Sequence, residues 1–239
     1  MSISVLNSGL LTTIQDRGRY GYEKYGVIVS GAMDQYSMKI ANILVGNDEN
    51  EGVLEITLIG PALKIKKGNL ISITGADISP TINEKKVPMG RPIYLHEDCI
   101  LKFGKCISGC RAYVAIAGGI DVPVVMESKS TYLRCGIGGQ DGRAIKKDDV
   151  INIGKKTSMS LDIIDKLKVI NTKESFVYTK WYAKSLNMNH NSPIYIRVFE
   201  DMQFKDIREE SIREFFTKPF IIDSKSDRMG YRLNGPKIE

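Results

Sequence analysis

LISIT at residues 70–74, followed at once by GAD at 75–77, is the segment that decides the fold class. Its branched apolar residues are typical of a buried strand, and the glycine after them is typical of a turn or a bulge. Similar short strands, bounded by Gly, Pro or Asn, recur at 3–6, 54–58, 93–95, 100–103 and 112–116. Short strands at this spacing predict a mainly β protein, a barrel or a sandwich, with a few helices.

Two segments depart from this pattern and predict helices. From Asp34 to Val45 the apolar residues fall at helical spacing, and Gly46 follows as a stop signal. Either Ser30 or Asp34 is suited to cap the start of this helix. A second helix is expected over 205–216, with its isoleucines and phenylalanines towards a core.

Composition divides the chain into three parts. Residues 1–154 are expected to form a first β domain. Residues 155–192, rich in Lys, Ser, Thr and Asn, are expected to be a connection with a short amphipathic stretch at 161–169. Residues 193–239 are expected to open a second domain with a strand at 194–198. So short a second domain would leave its sheet edges open, and we therefore expect it to be incomplete.

Composition also excludes several functional classes. No apolar run approaches the roughly 18 residues that cross a bilayer, and the start lacks a signal-peptide pattern. The 4 cysteines form no C-x-x-C pair and only 2 histidines are present, so we expect no metal site and reduced thiols in the cytoplasm. The net charge of +6 comes from scattered basic residues, so we expect a small anionic substrate and neither nucleic acid nor membrane as a partner.

The richest polar stretch is TTIQDRGRYGY at 12–22. Arginine binds carboxylate or phosphate through a planar fork, so Arg17 or Arg19 is a candidate for holding an anionic substrate beside Gln15. Asp16 would orient one of these arginines or act as a base. The alternative is an Asp–Arg pair that fixes a loop, and the spacing alone favours it.

A second candidate segment is Ser30-Gly31-Ala32-Met33-Asp34, which leads into the first helix. Small residues before a helix N-terminus expose backbone N–H groups that suit an anion. Asn42, two turns into the helix, would face either the site or the core. A helix cap with tight packing is an equally good interpretation of this segment.

The third candidate segment is CGIGGQDGR at 135–143. It fits neither the dinucleotide fingerprint nor the phosphate-binding P-loop, so we interpret its glycines as positions that allow positive φ in a long loop. Gly138, Gly139 and Arg143 remain candidates for anion contact, together with Ser130 just upstream. The 2 histidines allow no Ser-His-Asp arrangement.

Blocks of sequence in a fixed order carry a resemblance to a known family. They are TIQD at 13–16, GR at 18–19, SGAMD at 30–34, LVGN at 44–47, TGA at 74–76, RAY at 111–113, GG at 138–139, GR at 142–143 and SDRMGYRL at 226–233. They cover nearly the whole chain except 155–192. In this order they resemble the family of carboxyltransferase domains that includes the C subunit of 5-oxoprolinase, KipA-like proteins and allophanate hydrolase subunit 2.

The resemblance implies two cyclophilin-like β-barrel domains, the second truncated in this chain, facing a shared cleft. Asp16, Arg19 and Glu55 would then be catalytic, and Asp16 or Glu55 would transfer a proton. Arg228 would be one of the substrate-binding residues. One departure stands out: relatives usually have Gly-Ser-Arg-Ser-Thr where this chain has ESKST at 127–131, so Lys129 replaces an arginine. No Met-Lys-Met biotin-carrier sequence occurs either.

The resemblance leaves three functions open. The first is a subunit of a 5-oxoprolinase complex that hydrolyses 5-oxo-L-proline to L-glutamate, with ATP entering through the assembled complex and with a KipI-like B subunit and a LamB-type A subunit as partners. The second is a carboxyltransferase acting on urea or a similar amide, with biotin supplied by another chain. The third is a KipA-like regulatory protein that antagonises a kinase inhibitor.

All three functions depend on one structural expectation. The loops at 15–19, 30–34 and 138–143 should converge on a single anion-receiving hollow between the two barrels.

Overall fold

The computed structural model describes residues 2–170, 172–184, 194–226, 228 and 230–239. The chain divides into two compact units, Met1–Asn187 and Met188–Glu239.

Strands dominate the described residues. The strands are β1 (Ser2–Asn7), β2 (Leu11–Gln15), β3 (Val53–Thr57), β4 (Ala62–Ile65), β5 (Leu70–Asp77), β6 (Thr81–Ile82), β7 (Lys85–Lys86), β8 (Ile93–Leu95), β9 (Cys99–Lys102), β10 (Ser108–Ile116), β11 (Val150–Asn152), β12 (Phe176–Tyr178), β13 (Ile221–Ile222) and β14 (Leu233–Asn234). The helices are α1 (Gln35–Leu44), α2 (Ser158–Lys168) and α3 (Glu209–Thr217), with 3₁₀ turns at Glu23–Tyr25 and Met202–Asp206. The prediction of a mainly β protein with a few helices is confirmed.

The first unit is built from two six-stranded antiparallel sheets. Their strand orders are β11-β1-β4-β9-β6-β7 and β12-β8-β5-β10-β3-β2. Apolar side chains from both sheets, such as Ile3, Leu63, Ile73 and Val114, form one core that excludes water. The arrangement is barrel-like, although backbone hydrogen bonds do not join the two sheets into a closed cylinder. LISIT lies in β5, near the centre of the second sheet, and all five of its residues are buried.

Helix α1 packs on the second sheet and is the helix predicted from Asp34 to Val45. Its buried Met38 and Ala41 belong to an apolar layer that also contains Leu70 and Tyr113 of the sheet. Asp34 caps the helix, because its carboxylate accepts a hydrogen bond from the backbone N–H of Ser37 at 3.0 Å. The prediction of this helix is confirmed, with Asp34 as the cap.

The segment predicted to connect two domains contributes regular structure to the first unit. It contains α2, whose Ile164 and Leu167 join the apolar layer around α1, and β12, which pairs with β8. The amphipathic stretch predicted at 161–169 falls largely within α2. Residues 185–193 lie outside the described part of the chain.

The second unit differs from the sequence expectation in its details. The strand predicted at 194–198 is wrong, since residues 194–200 have no regular secondary structure. The helix predicted over 205–216 begins at Glu209, after the 3₁₀ turn Met202–Asp206. Strands β13 and β14 pair as a two-stranded hairpin. Across the described ranges, no helix has both the length and the apolar character needed to span a bilayer.

Candidate functional site

Asp16, which directly follows β2, holds two loops together through its carboxylate. One oxygen accepts hydrogen bonds from the backbone N–H of Gly18 at 2.7 Å, from the Ser128 hydroxyl at 2.7 Å and from the Ser130 hydroxyl. The other oxygen accepts from the backbone N–H of Lys129 at 2.6 Å. With four donors and only 5% exposure, the carboxylate is suited to fixing the loop 128–130 against the end of β2.

Arg19 brings the predicted loops into contact. Its side chain is completely buried, and its guanidinium donates to the Ser30 hydroxyl at 3.1 Å and to the backbone carbonyl of Ser130. A Cβ atom on Gly138 would clash with that carbonyl and would lie 2.8 Å from the guanidinium, so only glycine fits there. The loops at 15–19, 30–34 and 138–143 therefore meet at Arg19, within the first unit.

The environment of Arg19 is unusual for a cation. Burial lowers the pKa of the Arg19 guanidinium, and the Coulombic attraction of Asp16 opposes this shift. Its two hydrogen-bond acceptors are neutral, and its Nε has no partner among the residues that the structure describes. Gln15 is buried beside the same loop: its amide nitrogen donates to Thr13 and Thr131, and its Oε1 is also unpartnered there.

The backbone N–H groups before α1 are already occupied. Ala32 donates to the carbonyl of Asp16, Met33 to the carboxylate of Glu55 and Asp34 to the hydroxyl of Tyr113, each at 2.8 Å. Ser30 and Gly31 both have positive φ, which lets the chain turn sharply against the 15–19 loop. This geometry favours a capped and tightly packed helix start over a site for an anion.

Glu55 lies on β3 and is 2% exposed. It accepts a hydrogen bond from the Tyr113 hydroxyl at 2.9 Å, and Arg111 lies 3.8 Å from its other oxygen. Burial, and next the Glu55 carboxylate, raise the pKa of the Tyr113 hydroxyl, which therefore stays protonated as a donor. Glu55 is not among the residues that line the cleft described next.

An open cleft of about 260 Å³ lies beside the Asp16 loops. Its lining residues come from three parts of the first unit: Asp16, Arg17, Asp48, Asn50, Glu51, Val124, Glu127 and Lys129. Arg17 is exposed here, and its guanidinium has no hydrogen-bond or ion-pair partner within the described ranges. Arg17 is thus the arginine of the 15–19 loop that is available to a bound molecule.

Asn42 supports this cleft from behind. It is completely buried in α1, and its amide donates to the backbone carbonyl of Glu51 at 2.7 Å. Its Oδ1 accepts a hydrogen bond from the side chain of Asn47 at 3.1 Å. Asn42 therefore positions the 47–51 loop, which carries part of the lining.

Two other predicted residues lie elsewhere. The guanidinium of Arg143 forms a two-pronged ion pair with Asp149, at 2.7 and 2.9 Å. This contact raises the pKa of Arg143 and holds the pKa of Asp149 below its usual value. Arg228 belongs to the second unit, in the chain between β13 and β14, and its role stays a prediction.

Sequence analysis did not select Asp48, Asn50, Glu51, Val124, Glu127 or Lys129 as site residues. The one available signal was the ESKST block, in which Lys129 differs from the pattern of relatives. Among the described residues, no group of three or more His, Cys, Asp or Glu side chains is placed to hold a metal ion.

Comparison with known proteins gives the family. The sequence model named "Carboxyltransferase domain, subdomain A and B" matches residues 25–239. The chain belongs to this carboxyltransferase domain family. It is 33% identical to the C subunit of 5-oxoprolinase from Escherichia coli over 233 residues, covering 98% of this chain and 68% of that protein.

Other relatives of this carboxyltransferase domain are parts of much larger proteins. The chain is 34% identical to urea amidolyase of Saccharomyces cerevisiae over 243 residues, which is 99% of this chain and 12% of that protein. The crystal structure of the K. lactis urea amidolyase matches 100% of this chain and 14% of its own, with 32% identity and a TM-score of 0.78. The chain therefore spans only about an eighth of these amidolyases.

Proposed function

We propose that this carboxyltransferase domain acts as the C subunit of a cytoplasmic, ATP-dependent 5-oxoprolinase complex that hydrolyses 5-oxo-L-proline to L-glutamate. Similarity to the E. coli protein over 68% of its length supports this assignment. The observation that supports it most directly is the cleft, where Arg17 is exposed to solvent and the Asp16 carboxylate fixes the adjacent 128–130 loop.

Arg17 is the residue that we assign to the carboxylate of 5-oxoproline. Arg19 is buried against Ser30 and Ser130, and Arg143 is engaged by Asp149, so neither guanidinium is available in the cleft. A guanidinium binds a carboxylate through two parallel hydrogen bonds and so fixes its orientation. Asp16 then acts as a positioning residue, because all of its donors belong to the protein.

ATP would be bound by the partner subunits. The backbone N–H groups at residues 32–34, which the sequence made candidates for binding an anion, already donate to protein acceptors. In the complex ATP supplies activation of the lactam carbonyl, which is otherwise a stable amide. The partners in this proposal are the KipI-like B subunit and the LamB-type A subunit.

The test is reconstitution with the full-length protein that contains this chain. The protein is purified together with the A-type and B-type subunits of its own organism, and L-glutamate is measured after addition of 5-oxo-L-proline. We expect glutamate to form only when ATP and all three subunits are present. An assembled complex that forms no glutamate with ATP would contradict the proposal and would favour a regulatory, KipA-like role.

Similarity to urea amidolyase supports a second candidate, a carboxyltransferase that acts on urea or a related amide. The biotin would be carried outside these 239 residues, because they contain no Met-Lys-Met carrier motif. The two candidates differ in their need for bicarbonate. Incorporation of ¹⁴C-bicarbonate into an amide product, by the protein together with a biotinylated partner, would favour this candidate over the hydrolase.

A further inference from the structure

The cleft contains an ion pair that the site prediction did not include. The Lys129 ammonium donates to the carboxylate of Glu51 and, at 2.9 Å, to the backbone carbonyl of Ile120. The side chains of Lys129 and Glu51 are 20% and 26% exposed, so both are partly shielded from water. A partly desolvated pair is stronger than a pair on the open surface, and it holds the ammonium in one place.

The surrounding backbone is shaped to hold this pair. The N–H of Lys129 is fixed by Asp16, and the N–H of Gly52 donates to the Glu51 carboxylate at 2.7 Å. Gly119 has a φ of 69°, and a Cβ atom at this position would clash with the Glu51 side chain. Any larger residue at Gly119 would therefore displace the carboxylate that holds the ammonium.

An ammonium group has three N–H donors, and two of those of Lys129 are used within the described residues. The third is available to a molecule in the cleft, because Lys129 is one of the lining residues. A neutral carbonyl oxygen is a suitable acceptor for it, since the charge of the ammonium is already balanced by Glu51.

The charges of the residues that line the cleft further limit the class of ligand that it can bind. Arg17 and Lys129 are its cations, whereas Asp16, Asp48, Glu51 and Glu127 contribute carboxylates. This excess of negative charge repels a phosphate dianion. The cleft tolerates at most the one negative charge that Arg17 can pair with, and its carboxylates suit a ligand that offers N–H donors of its own.

We infer that Lys129 donates a hydrogen bond to the amide carbonyl of the substrate, with Glu51 as the residue that positions its ammonium. This inference rests on the proposed function and assigns the substrate class as a small amide or lactam with one carboxylate. Arg17 binds the carboxylate, and Lys129 recognises the amide carbonyl and polarises it.

The experiment measures binding of three probes to the assembled complex, by competition with 5-oxo-L-proline. The probes are 2-pyrrolidinone, which has only the lactam, cyclopentanecarboxylate, which has only the carboxylate, and inorganic phosphate. We expect Lys129→Met to weaken the binding of 2-pyrrolidinone about 10- to 100-fold, which is the range for loss of a hydrogen bond to a charged group. The binding of cyclopentanecarboxylate should not change. Lys64→Met is the matched control, because Lys64 is exposed on β4 and does not line the cleft.

Two results would overturn the inference while leaving the proposed function intact. One is a wild-type level of 2-pyrrolidinone binding in Lys129→Met, and the other is binding of phosphate in preference to the lactam, with 5-oxoproline still hydrolysed. A complex that neither binds nor hydrolyses 5-oxoproline would instead remove the proposed function.

A measurement on the unmodified complex covers the case in which Lys129→Met does not fold. Sulfur accepts hydrogen bonds more weakly than oxygen, so the wild-type complex should bind 2-pyrrolidinone about tenfold more tightly than pyrrolidine-2-thione. Equal binding of the two would contradict a hydrogen bond from Lys129 to the carbonyl.

Discussion

Replacing Asp16 by asparagine tests the clamp, that is, the set of hydrogen bonds by which the Asp16 carboxylate holds the 128–130 loop against the end of β2. Asparagine has nearly the same shape, and its oxygen can still accept from Gly18, Ser128 and Ser130. Its NH₂ group, however, would face the backbone N–H of Lys129, so a buried donor would lose its acceptor. The negative charge that opposes the desolvation of Arg19 would also be lost.

The expected size of this effect follows from those losses. An unsatisfied buried donor costs about 1–3 kcal/mol, and weaker bonds from the remaining donors add to this, so we expect about 3 kcal/mol of lost stability. For a unit of this size, about 3 kcal/mol lowers the melting temperature by roughly 6–12 °C.

The assay is urea unfolding followed by circular dichroism, with Asp162→Asn as the control. Asp162 is exposed on α2, so its substitution should change stability by less than about 0.5 kcal/mol. A loss below about 1 kcal/mol in Asp16→Asn, combined with loss of turnover in the complex, would refute the clamp and would favour proton transfer by Asp16.

Three further predictions concern stability and use the same unfolding assay. Gly138→Ala should cost more than about 2 kcal/mol, because its Cβ would clash with backbone, whereas Gly136→Ala, at a similar positive φ but in open space, should cost only about 1 kcal/mol. Tyr113→Phe should cost about 1–2 kcal/mol, because it removes a buried hydroxyl that both donates and accepts. Asp149→Asn should reduce stability at pH 6, and this deficit should shrink as the pH is lowered below the unfolded pKa, because Arg143 depresses the pKa of this carboxyl in the folded protein.

The direction of the pKa shift of Asp149 determines how the effect of Asp149→Asn on stability changes with pH. A carboxyl with a depressed folded pKa stabilises the protein above its unfolded pKa, about 3.9, and loses this contribution as the pH falls through the folded value. An Asp149→Asn variant whose stability deficit grows on acidification would contradict the Arg143 pair. Equal losses in the two glycine variants would contradict the close packing at Gly138.

The strands and the first helix could be predicted because their signals are local. LISIT in β5 has the branched residues and the following glycine of a buried strand, and Asp34 has the side chain of a helix cap. The role of 155–192 could not be predicted in this way. Strand β12 exists because Phe176–Tyr178 pairs with β8, and a polar segment does not reveal such a distant partner.

In the candidate site, too, the local features could be predicted from the sequence and the features that depend on distant contacts could not. The sequence indicated that the Asp16 loop was rich in binding chemistry, but it could not tell which arginine would be exposed. Arg17 and Arg19 are only two residues apart, but residues distant in sequence give them different environments. Arg19 is buried because it donates hydrogen bonds to the carbonyl of Ser130 and the hydroxyl of Ser30. The pairing of Glu51 with Lys129 spans 78 positions and has no local signal at all.

Kinetics of the reconstituted complex test most directly whether Arg17 binds the carboxylate of the substrate. With ATP saturating, 5-oxo-L-proline is titrated against the wild type, Arg17→Gln and the exposed control Lys64→Gln. We expect Arg17→Gln to lower kcat/KM about 10- to 100-fold, mainly through a higher KM, because a charged hydrogen bond to the substrate carboxylate is lost. Unchanged kcat/KM in Arg17→Gln would contradict the assignment of the cleft as the substrate site.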